Sequence, residues 1–489
     1  MNPKSAPLYE TMVAHYFQRN TSFHVPGHKG GKGVDPFAED FYEKIMGLDL
    51  TEIAGLDDLH NPSGPIKEAQ DLAAACFGAE ETFFLINGST VGNLAMILSV
   101  CARNELLLVQ RNVHKSVIHG LMLAGAHVVF LPDQCEPLSG LASGVSINDI
   151  NIAMDRYPNA KGVFLTNPNY YGMGIDLSNI AVEVHSRGMI LMVDEAHGAH
   201  YGLHPRLSSS ALSCGADAVV QSTHKMLTSL TMGAMLHLKG NRIDRSLIKQ
   251  SLAMLQSSSP SYPIMASLDL TRRWMHVNGK YSLEKGLQVI DDFRIKFDQL
   301  PFLATLQQPC SESNFTSLDP FKFAIHDLTG TLDGFQLKQK LEEAGCFPEM
   351  ADANRVLLHF SLATDVLDMN RLLEALQGIC NHISLNQHSP QQFEEYYRSF
   401  PYFSKISLPI SMGLLQNASE KVTEDVYLKE AINRQAAEIV TPYPPGIPIL
   451  YYGETITRFT VEYLIRLVEL GASFQGVADK SLSKIKVYV

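Results

Sequence analysis

Between residues 61 and 290 the chain alternates short apolar runs with stretches of helical periodicity. The runs are continuously apolar instead of alternating with polar residues, as expected of parallel strands that helices cover on both faces. We predict a strand at each run and a helix after all but the last. The runs are FFLIN (83–87), LLLVQ (106–110), HVVFLP (127–132), GVFLTNP (162–168), MILMVDEA (189–196) and AVVQS (218–222). This pattern predicts a doubly wound α/β domain over residues 61–290.

The rest of the chain divides around this domain. Residues 1–60 predict an arm, and mixed helix and strand patterns predict a smaller α+β domain over residues 291–385. A polar linker, Asn386–Phe393, opens a C-terminal domain over residues 386–489. Within it, TPYPPGIPILYYGE (441–454) predicts an extended loop, because proline removes donors and restricts the residue before it.

Composition argues against two classes of partner. The 39 Lys and Arg residues against 51 Asp and Glu residues give a net charge of −12, and no dense basic tract is present. We therefore expect neither nucleic acid nor an anionic membrane surface as a partner, and weakly favour a small cationic substrate. No apolar run approaches the ~18 residues of a membrane span, and the amino terminus has no signal-peptide core. Seven scattered cysteines, never spaced CxxC, predict reduced thiols in a cytoplasmic protein.

The last apolar run breaks into a polar cluster, Gln221-Ser222-Thr223-His224, followed by Lys225. Open α/β sheets bind ligands at the carboxyl edge of their strands, where this cluster would lie. Partial burial there would favour the neutral, nucleophilic form of the Lys225 amine. A second interpretation is that Lys225 merely starts a surface helix.

Asp194, in VDEAHGAH (193–200), falls at the carboxyl end of another apolar strand. Burying a carboxylate is costly unless a cation or a strong donor meets it, and the protonated ring nitrogen of pyridoxal phosphate is such a partner. The alternative is a metal site, because His197, His200 and His204 follow closely. Gly198, Gly202 and Pro205 argue against a stable helix that would align these histidines, so we expect no metal.

Three further segments follow predicted strands. NGSTVGN (87–93) offers the Ser89 and Thr90 hydroxyls and backbone N–H groups at a helix start, which suit a phosphate but also cap ordinary helices. His114 and Asn167 end two other strands, although a lone histidine is more often structural. Together, a phosphate cradle, an acid and a lysine amine at one sheet edge describe the site of a Schiff-base cofactor.

The glycine-rich FHVPGHKGGKG (23–33) superficially suggests a phosphate loop. The Walker pattern requires Ser or Thr after the Gly-Lys pair, whereas Lys32 here precedes Gly33, so this interpretation is rejected. His24, His28 and Lys29 on this loop could be functional, but a flexible connector explains them equally well.

The motifs together resemble the ornithine/lysine/arginine decarboxylase family, from about residue 5 to residue 455 and in the family's order. Its members are fold-type-I pyridoxal-phosphate enzymes with an aspartate-aminotransferase-like architecture. The chain resembles the short form, without the amino-terminal wing domain of the larger acid-induced members. The motifs are FHVPGHKGG, LDDLH, NGST, RNVHKS, TNPNYYG, VDEAHGAH, QSTHK, SSSPSYPIMASLD and YPPGIP.

The resemblance implies a role for each matching residue. Lys225 would bond covalently to the cofactor aldehyde, Asp194 would hold the pyridine nitrogen protonated, and His114 would stack on the ring. The phosphate would lie among Ser89, Thr90, Ser222 and His224, with His224 also close to the reacting carbon. His197 and Asn167 would lie next to the cofactor. Glu454 would meet the distal cation of the substrate, with His28 a further candidate from a loop near a dimer interface.

We therefore expect a pyridoxal-phosphate-dependent decarboxylase of arginine, lysine or ornithine that yields agmatine or a diamine in polyamine metabolism. The short-form resemblance favours arginine slightly, and implies a homodimer or a larger oligomer. This chain departs from the family at Tyr452-Gly453, where the family often has proline-glycine before the glutamate. The alternatives are transamination or aldol cleavage on the same scaffold, or a catalytically silent paralogue.

Overall fold

The computed structural model describes residues 1–310, 313–385, 405–413, 422–443, 446–469 and 471–489. The predicted linker Asn386–Phe393 lies outside these ranges. The chain separates into two compact units, each described by itself below. The first unit comprises Met1–Cys101 and Ala181–Ser282, and the second comprises Ala102–Ile180 and Leu283–Val489.

The strands and helices of the described residues are numbered in chain order. The strands are β1 Glu81–Leu85, β2 Leu106–Gln110, β3 His127–Leu131, β4 Asp133–Cys135, β5 Ala142–Val145, β6 Gly162–Thr166, β7 Met173–Gly174, β8 Ile190–Asp194, β9 Ala218–Gln221, β10 Ala234–Leu238, β11 Leu303–Thr305, β12 Ser317–Leu318, β13 Lys322–Asp327, β14 Met350–Ala351, β15 Arg355–His359, β16 Ile410–Ser411, β17 Thr423–Tyr427, β18 Thr441–Tyr443, β19 Ser473–Gln475 and β20 Lys484–Tyr488. The α-helices are α1 Pro7–Phe17, α2 Glu39–Leu48, α3 Pro65–Phe77, α4 Gly88–Val100, α5 Lys115–Ala124, α6 Ile147–Arg156, α7 Leu177–Ser186, α8 Thr223–Met226, α9 Arg245–Leu255, α10 Tyr262–Phe297, α11 Gly334–Glu343, α12 Val366–Leu385 and α13 Arg458–Glu469.

The first unit contains four strands that hydrogen-bond in the order β1-β10-β9-β8. β8 and β9 run parallel, whereas β10 is antiparallel to both of its neighbours. The sequence pattern predicts β1, β8 and β9 but not β10. The antiparallel direction of β10 is also not evident from its own residues. Helix α4 approaches β9 closely, because a Cβ atom at Gly92 would lie 2.5 Å from Val220 Cγ2. This close approach explains why a glycine is needed inside the NGSTVGN motif.

The segment after β8 corrects one prediction. We expected a short helix there, but the fully described stretch from Glu195 to Asp217 consists of turns and irregular backbone. Gly202 has φ +76° and Gly215 has φ +102°, conformations that end a right-handed helix. Gly202, which argues against a helix that would align the histidines, therefore also argues against the short helix expected here.

Asp57, in the LDDLH motif, organises the start of helix α3. Its carboxylate accepts hydrogen bonds from the backbone N–H groups of Gly64 at 2.8 Å, Ile66 at 3.1 Å and Lys67 at 3.2 Å. Burial opposes the charged form, but the donated backbone hydrogen bonds from Ser63, Gly64 and their neighbours lower the pKa of Asp57 overall. The first turn of α3 is thus capped by a residue that lies outside the helix.

The amino-terminal arm contains two helices, α1 and α2. Helix α1 is anchored where the backbone N–H of Leu8 donates to Asp269 on α10. Several aromatic side chains of the arm face solvent, with Phe23 93% exposed and Phe37 98% exposed. The arm is therefore more helical than expected and carries an exposed apolar surface.

In the second unit, four strands hydrogen-bond in the order β6-β2-β3-β16, with β2 parallel to both β6 and β3. A second sheet, β11-β13-β15-β14, is antiparallel throughout; α11 packs against β14 and β15, and α12 packs against α11. The predicted bounds of the small α+β domain stay a prediction. The region after residue 422 has its own apolar core, in which α13 packs with the segments around β17 and β20. The expected extended loop at 441–454 begins as β18, which pairs with β19.

Two findings concern the environment of the protein. In the described ranges, no helix combines the length and the apolar character that crossing a membrane requires. All seven cysteines lie in the described ranges, and none forms a disulfide. The cytoplasmic location expected from the thiols stays a prediction.

Candidate active site

Lys225 lies in the one-turn helix α8, directly after β9. Its Nζ atom is 3.1 Å from Nε2 of His197, which belongs to the segment after β8. Because β8 and β9 are parallel neighbours, their carboxyl ends bring the two side chains together. The amine is half-buried, whereas His197 is 6% exposed. The structure thus places a partly buried amine and an imidazole within proton-transfer distance.

Asp194, the last residue of β8, is 3% exposed. Its carboxylate accepts hydrogen bonds from the Asn93 side-chain amide at 2.7 Å and from the backbone N–H of Ala196 at 3.0 Å. Burial raises the pKa of Asp194, although the Asn93 hydrogen bond and the charge of Lys225 oppose the rise. Asn93 comes from α4, so this helix supports the acid from a second element. A cation beside the carboxylate would stabilise its charged form.

The start of α4 and the end of β9 present a pair of hydroxyl groups. Ser222 donates a hydrogen bond to Ser89 at 2.8 Å. Asn87, the N-cap of α4, makes no capping hydrogen bond through its side chain among the described residues, and Thr90 is exposed. Helix N-terminal N–H groups beside two hydroxyls form a suitable site for a phosphate group.

His224, next to Lys225, is fixed by its ring. Nδ1 lies 3.0 Å from the carbonyl oxygen of Gly233, at the start of β10. Burial lowers the pKa of His224, and the charge of Lys225 acts in the same direction, against the Gly233 carbonyl. His224 is therefore neutral at neutral pH and can accept a proton through its other ring nitrogen.

His114 and Asn167 belong to the second unit. His114 lies in the loop after β2, and Asn167 directly follows β6. His114 is the N-cap of α5, and its Nδ1 accepts from the backbone N–H of Ser116 at 3.2 Å. The Asn167 side-chain oxygen accepts from the backbone N–H of Ile175 at 2.9 Å. Asp133 holds the same loop as His114 by accepting from the Asn112 backbone at 2.9 Å, and burial raises its pKa to about 7. The cofactor contacts expected of His114 and Asn167 stay predictions.

Glu454 forms an ion pair with a residue that the sequence analysis did not name. Its carboxylate lies 2.7 Å from Nη2 of Arg111, which is itself buried. The Arg111 guanidinium also lies 4.1 Å from the Tyr451 ring centroid and 5.0 Å from that of Phe130. A substrate cation at Glu454 would therefore share the carboxylate with Arg111. The expected substrate contact stays a prediction.

The loop of residues 23–33, which carries His24, His28 and Lys29, makes contacts within itself and with Asp49 of the same arm. Nε2 of His28 lies 3.2 Å from the Asp49 carboxylate, and Lys29 donates to the carbonyl oxygen of His24. These contacts link the loop to Asp49 and to itself, and both interpretations of the loop stay open. They leave the proposed link of His28 to the substrate as a prediction.

The sequence pattern did not indicate the residues that hydrogen-bond to the candidate site residues and their neighbours. Asn93 and Glu195 lie inside motifs that were noticed for their neighbours, and Glu195 accepts from the Gln221 amide at 2.7 Å. Their roles depend on cross-strand proximity, which a motif alone does not reveal. Among the described residues, no group of three or more His, Cys, Asp and Glu side chains could hold a metal ion.

The first unit fits pyridoxal phosphate by the chemistry of its side chains. An amine can bond to the cofactor aldehyde, a buried carboxylate whose pKa is raised by burial can meet a ring cation, and a helix start with two hydroxyls suits a phosphate. These features define a fold-type-I pyridoxal-phosphate enzyme.

The sequence comparisons identify the family. The family profile described as Orn/Lys/Arg decarboxylase, major domain, matches residues 6–368, and that of the C-terminal domain matches residues 409–481. The chain is 33% identical to an arginine decarboxylase of Bacillus subtilis, over 100% of this chain and 98% of that protein. It is 41% identical to the uncharacterized Bacillus subtilis protein YaaO, over 99% of both. The chain belongs to the ornithine/lysine/arginine decarboxylase family.

A solved structure agrees on the fold. The constitutive lysine decarboxylase of Escherichia coli superposes with a TM-score of 0.81 at 21% identity, covering 99% of this chain and 82% of that one. The expected aspartate-aminotransferase-like fold is thus confirmed, as is the assignment to pyridoxal-phosphate-dependent decarboxylases of basic amino acids. Pyridoxal 5′-phosphate is the cofactor that the family and fold imply.

Proposed function

We propose that this chain decarboxylates L-arginine to agmatine, within polyamine metabolism. The observation that carries the choice of arginine is the full-length match, at 33% identity, to an arginine decarboxylase. The likeness to a lysine decarboxylase, at 21% identity, bears on the fold alone. The net charge of −12 also favours a cationic substrate weakly.

The reaction breaks the bond between Cα and the carboxylate carbon, carbon dioxide leaves, and the electron pair left on Cα takes up one proton. Pyridoxal phosphate, when bound, supplies the electron-withdrawing ring that stabilises the negative charge on Cα. We propose that Lys225 bonds to the cofactor aldehyde and that Asp194 keeps the ring nitrogen protonated. Lys225 in its protonated form, or His224 after its free ring nitrogen has taken up a proton, would deliver the proton to Cα.

The remaining site residues are proposed to bind and orient. The phosphate would lie among Ser89, Thr90, Ser222 and His224, and His114 would stack on the cofactor ring, with His197 and Asn167 beside it. Glu454 and His28 are the candidates for contact with the substrate. The Ser222–Ser89 hydrogen bond and the His197–Lys225 distance support the assignments made in the first unit.

The test is a decarboxylation assay of the cofactor-loaded protein with arginine, lysine and ornithine. We expect carbon dioxide and agmatine from arginine in equal amounts, with kcat/KM at least ~10-fold above that for lysine or ornithine. Lys225→Ala is the inactive control. Cadaverine or putrescine as the main product would replace arginine with another substrate, and a keto acid would overturn the decarboxylase assignment.

We also propose that the working form is a homodimer. The amino-terminal arm exposes Phe17, Phe23, Phe37 and Phe41, each at least 71% exposed in the single chain. A contiguous exposed apolar patch marks an interaction surface, and we propose that these four side chains contribute to one. The resemblance to a dimeric family favours a second copy of the chain as the partner.

A further inference from the structure

A row of buried polar side chains crosses the strands of the first unit and ends at Glu195. Thr82 on β1 contacts His237 on β10, with 2.8 Å between Oγ1 and Nδ1. His237 Nε2 lies 3.1 Å from Oε1 of Gln221 on β9, and Gln221 Nε2 donates to Glu195 at 2.7 Å. None of these four residues is more than 3% exposed. Four buried polar groups in one continuous chain of hydrogen bonds are unusual in a sheet core.

The chemistry of the groups fixes the direction of every hydrogen bond. The amide nitrogen of Gln221 donates to Glu195, so its oxygen accepts, and His237 Nε2 must carry the proton. Nδ1 of His237 is then an acceptor, and the Thr82 hydroxyl donates to it. Burial lowers the pKa of His237 to about 3, so the ring is neutral and carries one proton, as this direction requires. All donors in the chain therefore point toward Glu195.

Glu195 also fixes the irregular segment that follows β8. Its second carboxylate oxygen accepts from the backbone N–H of Ala211 at 2.7 Å, across sixteen positions of the chain. Its own backbone N–H donates to the Val220 carbonyl at 2.9 Å, which ties the residue to β9. One side chain thus joins both ends of the segment 195–211 to the sheet.

We propose that Glu195 is a positioning residue whose carboxyl group, held by the Thr82–His237–Gln221 chain, sets His197 against Lys225. His197 lies two positions after Glu195, and its Nε2 is 3.1 Å from Lys225 Nζ. Asp194 lies immediately before Glu195, so movement of this residue would shift groups on both sides of it. The proposal rests on the proposed function, because it assigns Lys225 to the cofactor.

The charges around Glu195 are consistent with this role. Burial raises the pKa of Glu195 to about 8, against the Gln221 and Ala211 donors, and the charge of Asp194 adds to the rise. Both carboxyl oxygens accept N–H groups, which an amide cannot do because it offers one acceptor and one donor. The two N–H donors therefore match the ionised carboxylate, the form that burial disfavours, and mismatch both an amide and the protonated acid, so the match is complete once the pH rises above about 8.

The first variant is Glu195→Gln, which directs an N–H group at either Gln221 or Ala211. We expect kcat to fall on the order of tenfold with little change in KM, because a misplaced His197 affects the chemical step more than binding. The pH midpoint of the cofactor absorbance of the holoenzyme, recorded without substrate, should also shift. Glu183→Gln is the matched control, because Glu183 on α7 forms a partly exposed ion pair with Arg187.

The second variant exchanges the two groups, Glu195→Gln with Gln221→Glu. The Ala211 N–H then donates to the new amide oxygen at position 195, and the new amide nitrogen there donates to the carboxylate introduced at position 221. His237 donates to the other oxygen of that carboxylate. Every donor and acceptor is again matched, so the exchange should recover most of the lost kcat and the wild-type absorbance midpoint. An essential acid at position 195 itself would instead leave the exchange variant as impaired as Glu195→Gln.

Several outcomes overturn the proposal. One is a Glu195→Gln protein with wild-type kcat and absorbance midpoint, and another is failure of the exchange to restore them. If Glu195→Gln does not fold, as judged by thermal unfolding of the apoprotein, the exchange variant alone decides: a wild-type midpoint supports the proposal and a shifted one contradicts it. Absence of agmatine from the wild-type enzyme would contradict the proposed substrate, while the absorbance titration would still test Glu195.

Discussion

At the scale of single residues, Asp194 and Lys225 are complementary. Asp194 is an acid whose charge burial disfavours, and Lys225 is an amine at the carboxyl end of the neighbouring strand. The Asn93 hydrogen bond and the Lys225 charge counter the burial of Asp194 in part. A ring cation at this carboxylate would complete its stabilisation.

Asp194→Asn tests this role. The amide is isosteric but cannot hold a pyridine nitrogen protonated, so we expect kcat to fall by about 10²-fold or more while the cofactor stays bound. Steady-state kinetics and the cofactor absorbance measure the two effects. Asp244→Asn, the same change at the exposed N-cap of α9, is the control, since asparagine caps a helix as well as aspartate does. A near-wild-type rate in Asp194→Asn would exclude the proposed role.

At the scale of elements, Asp57 joins the LDDLH motif to α3 and to α10. Its carboxylate caps the first turn of α3, and its carbonyl oxygen accepts from the Tyr262 hydroxyl at 2.7 Å. The motif thus has a structural function that its sequence did not reveal. The pKa of Asp57 is lowered in the folded protein by backbone hydrogen bonds that outweigh burial.

This shift predicts a pH-dependent effect of Asp57→Asn. A carboxylate with a lowered folded pKa stabilises the protein above its unfolded pKa of about 3.9, and this contribution disappears as the pH falls through the folded value. We expect the variant to lose about 1 kcal/mol at pH 7, because both carboxylate oxygens accept backbone N–H groups and an amide offers only one acceptor, and the difference from wild type to narrow below about pH 4. Thermal unfolding followed by circular dichroism measures it, with Asp71→Asn on the same helix as the control. A pH-independent difference would contradict the assignment.

The elements also show what the sequence could and could not predict. Helix α3 was predictable because Pro65 and Gly78 mark its ends and an apolar stripe faces the core. Helix α2 was missed although Phe41, Ile45 and Leu48 form an apolar stripe at helical spacing, a stripe that the structure leaves largely unburied. Strand β10, the short run AMLHL, was not predicted, and its antiparallel direction comes from pairing with β1 and β9, which its own residues do not encode.

The candidate site was predictable only in part: the sequence indicated its main residues but not the residues that support them. Strand ends followed by polar residues indicated Asp194 and Lys225, because parallel strands present their carboxyl ends at one edge. The supporting partners were not predictable, since Thr82 and His237 are 155 positions apart and meet only through the antiparallel pairing of β1 with β10. Arg111 was missed for a similar reason, because its partner Glu454 lies 343 positions away.

At the scale of the whole molecule, the exposed arm predicts self-association. Phe23 and Phe37 should become buried against a second copy of the chain. Sedimentation equilibrium should therefore give a particle mass of twice the 54.1 kDa of one chain. Phe23→Ser combined with Phe37→Ser should shift the equilibrium toward the monomer. Phe347→Ser, which changes a side chain outside the arm that is 79% exposed, should not. A monomeric wild type, or arm variants that associate normally, would contradict the prediction.

The central claim is that the Lys225 amine bonds to the cofactor beside Asp194. The most direct measurement is borohydride reduction of the holoenzyme, followed by proteolysis and mass spectrometry of the peptides. We predict one pyridoxyl group per chain, on the peptide that contains Lys225, and none in Lys225→Ala treated in the same way. A pyridoxyl group on another lysine, or an unlabelled Lys225 in an active enzyme, would contradict the account.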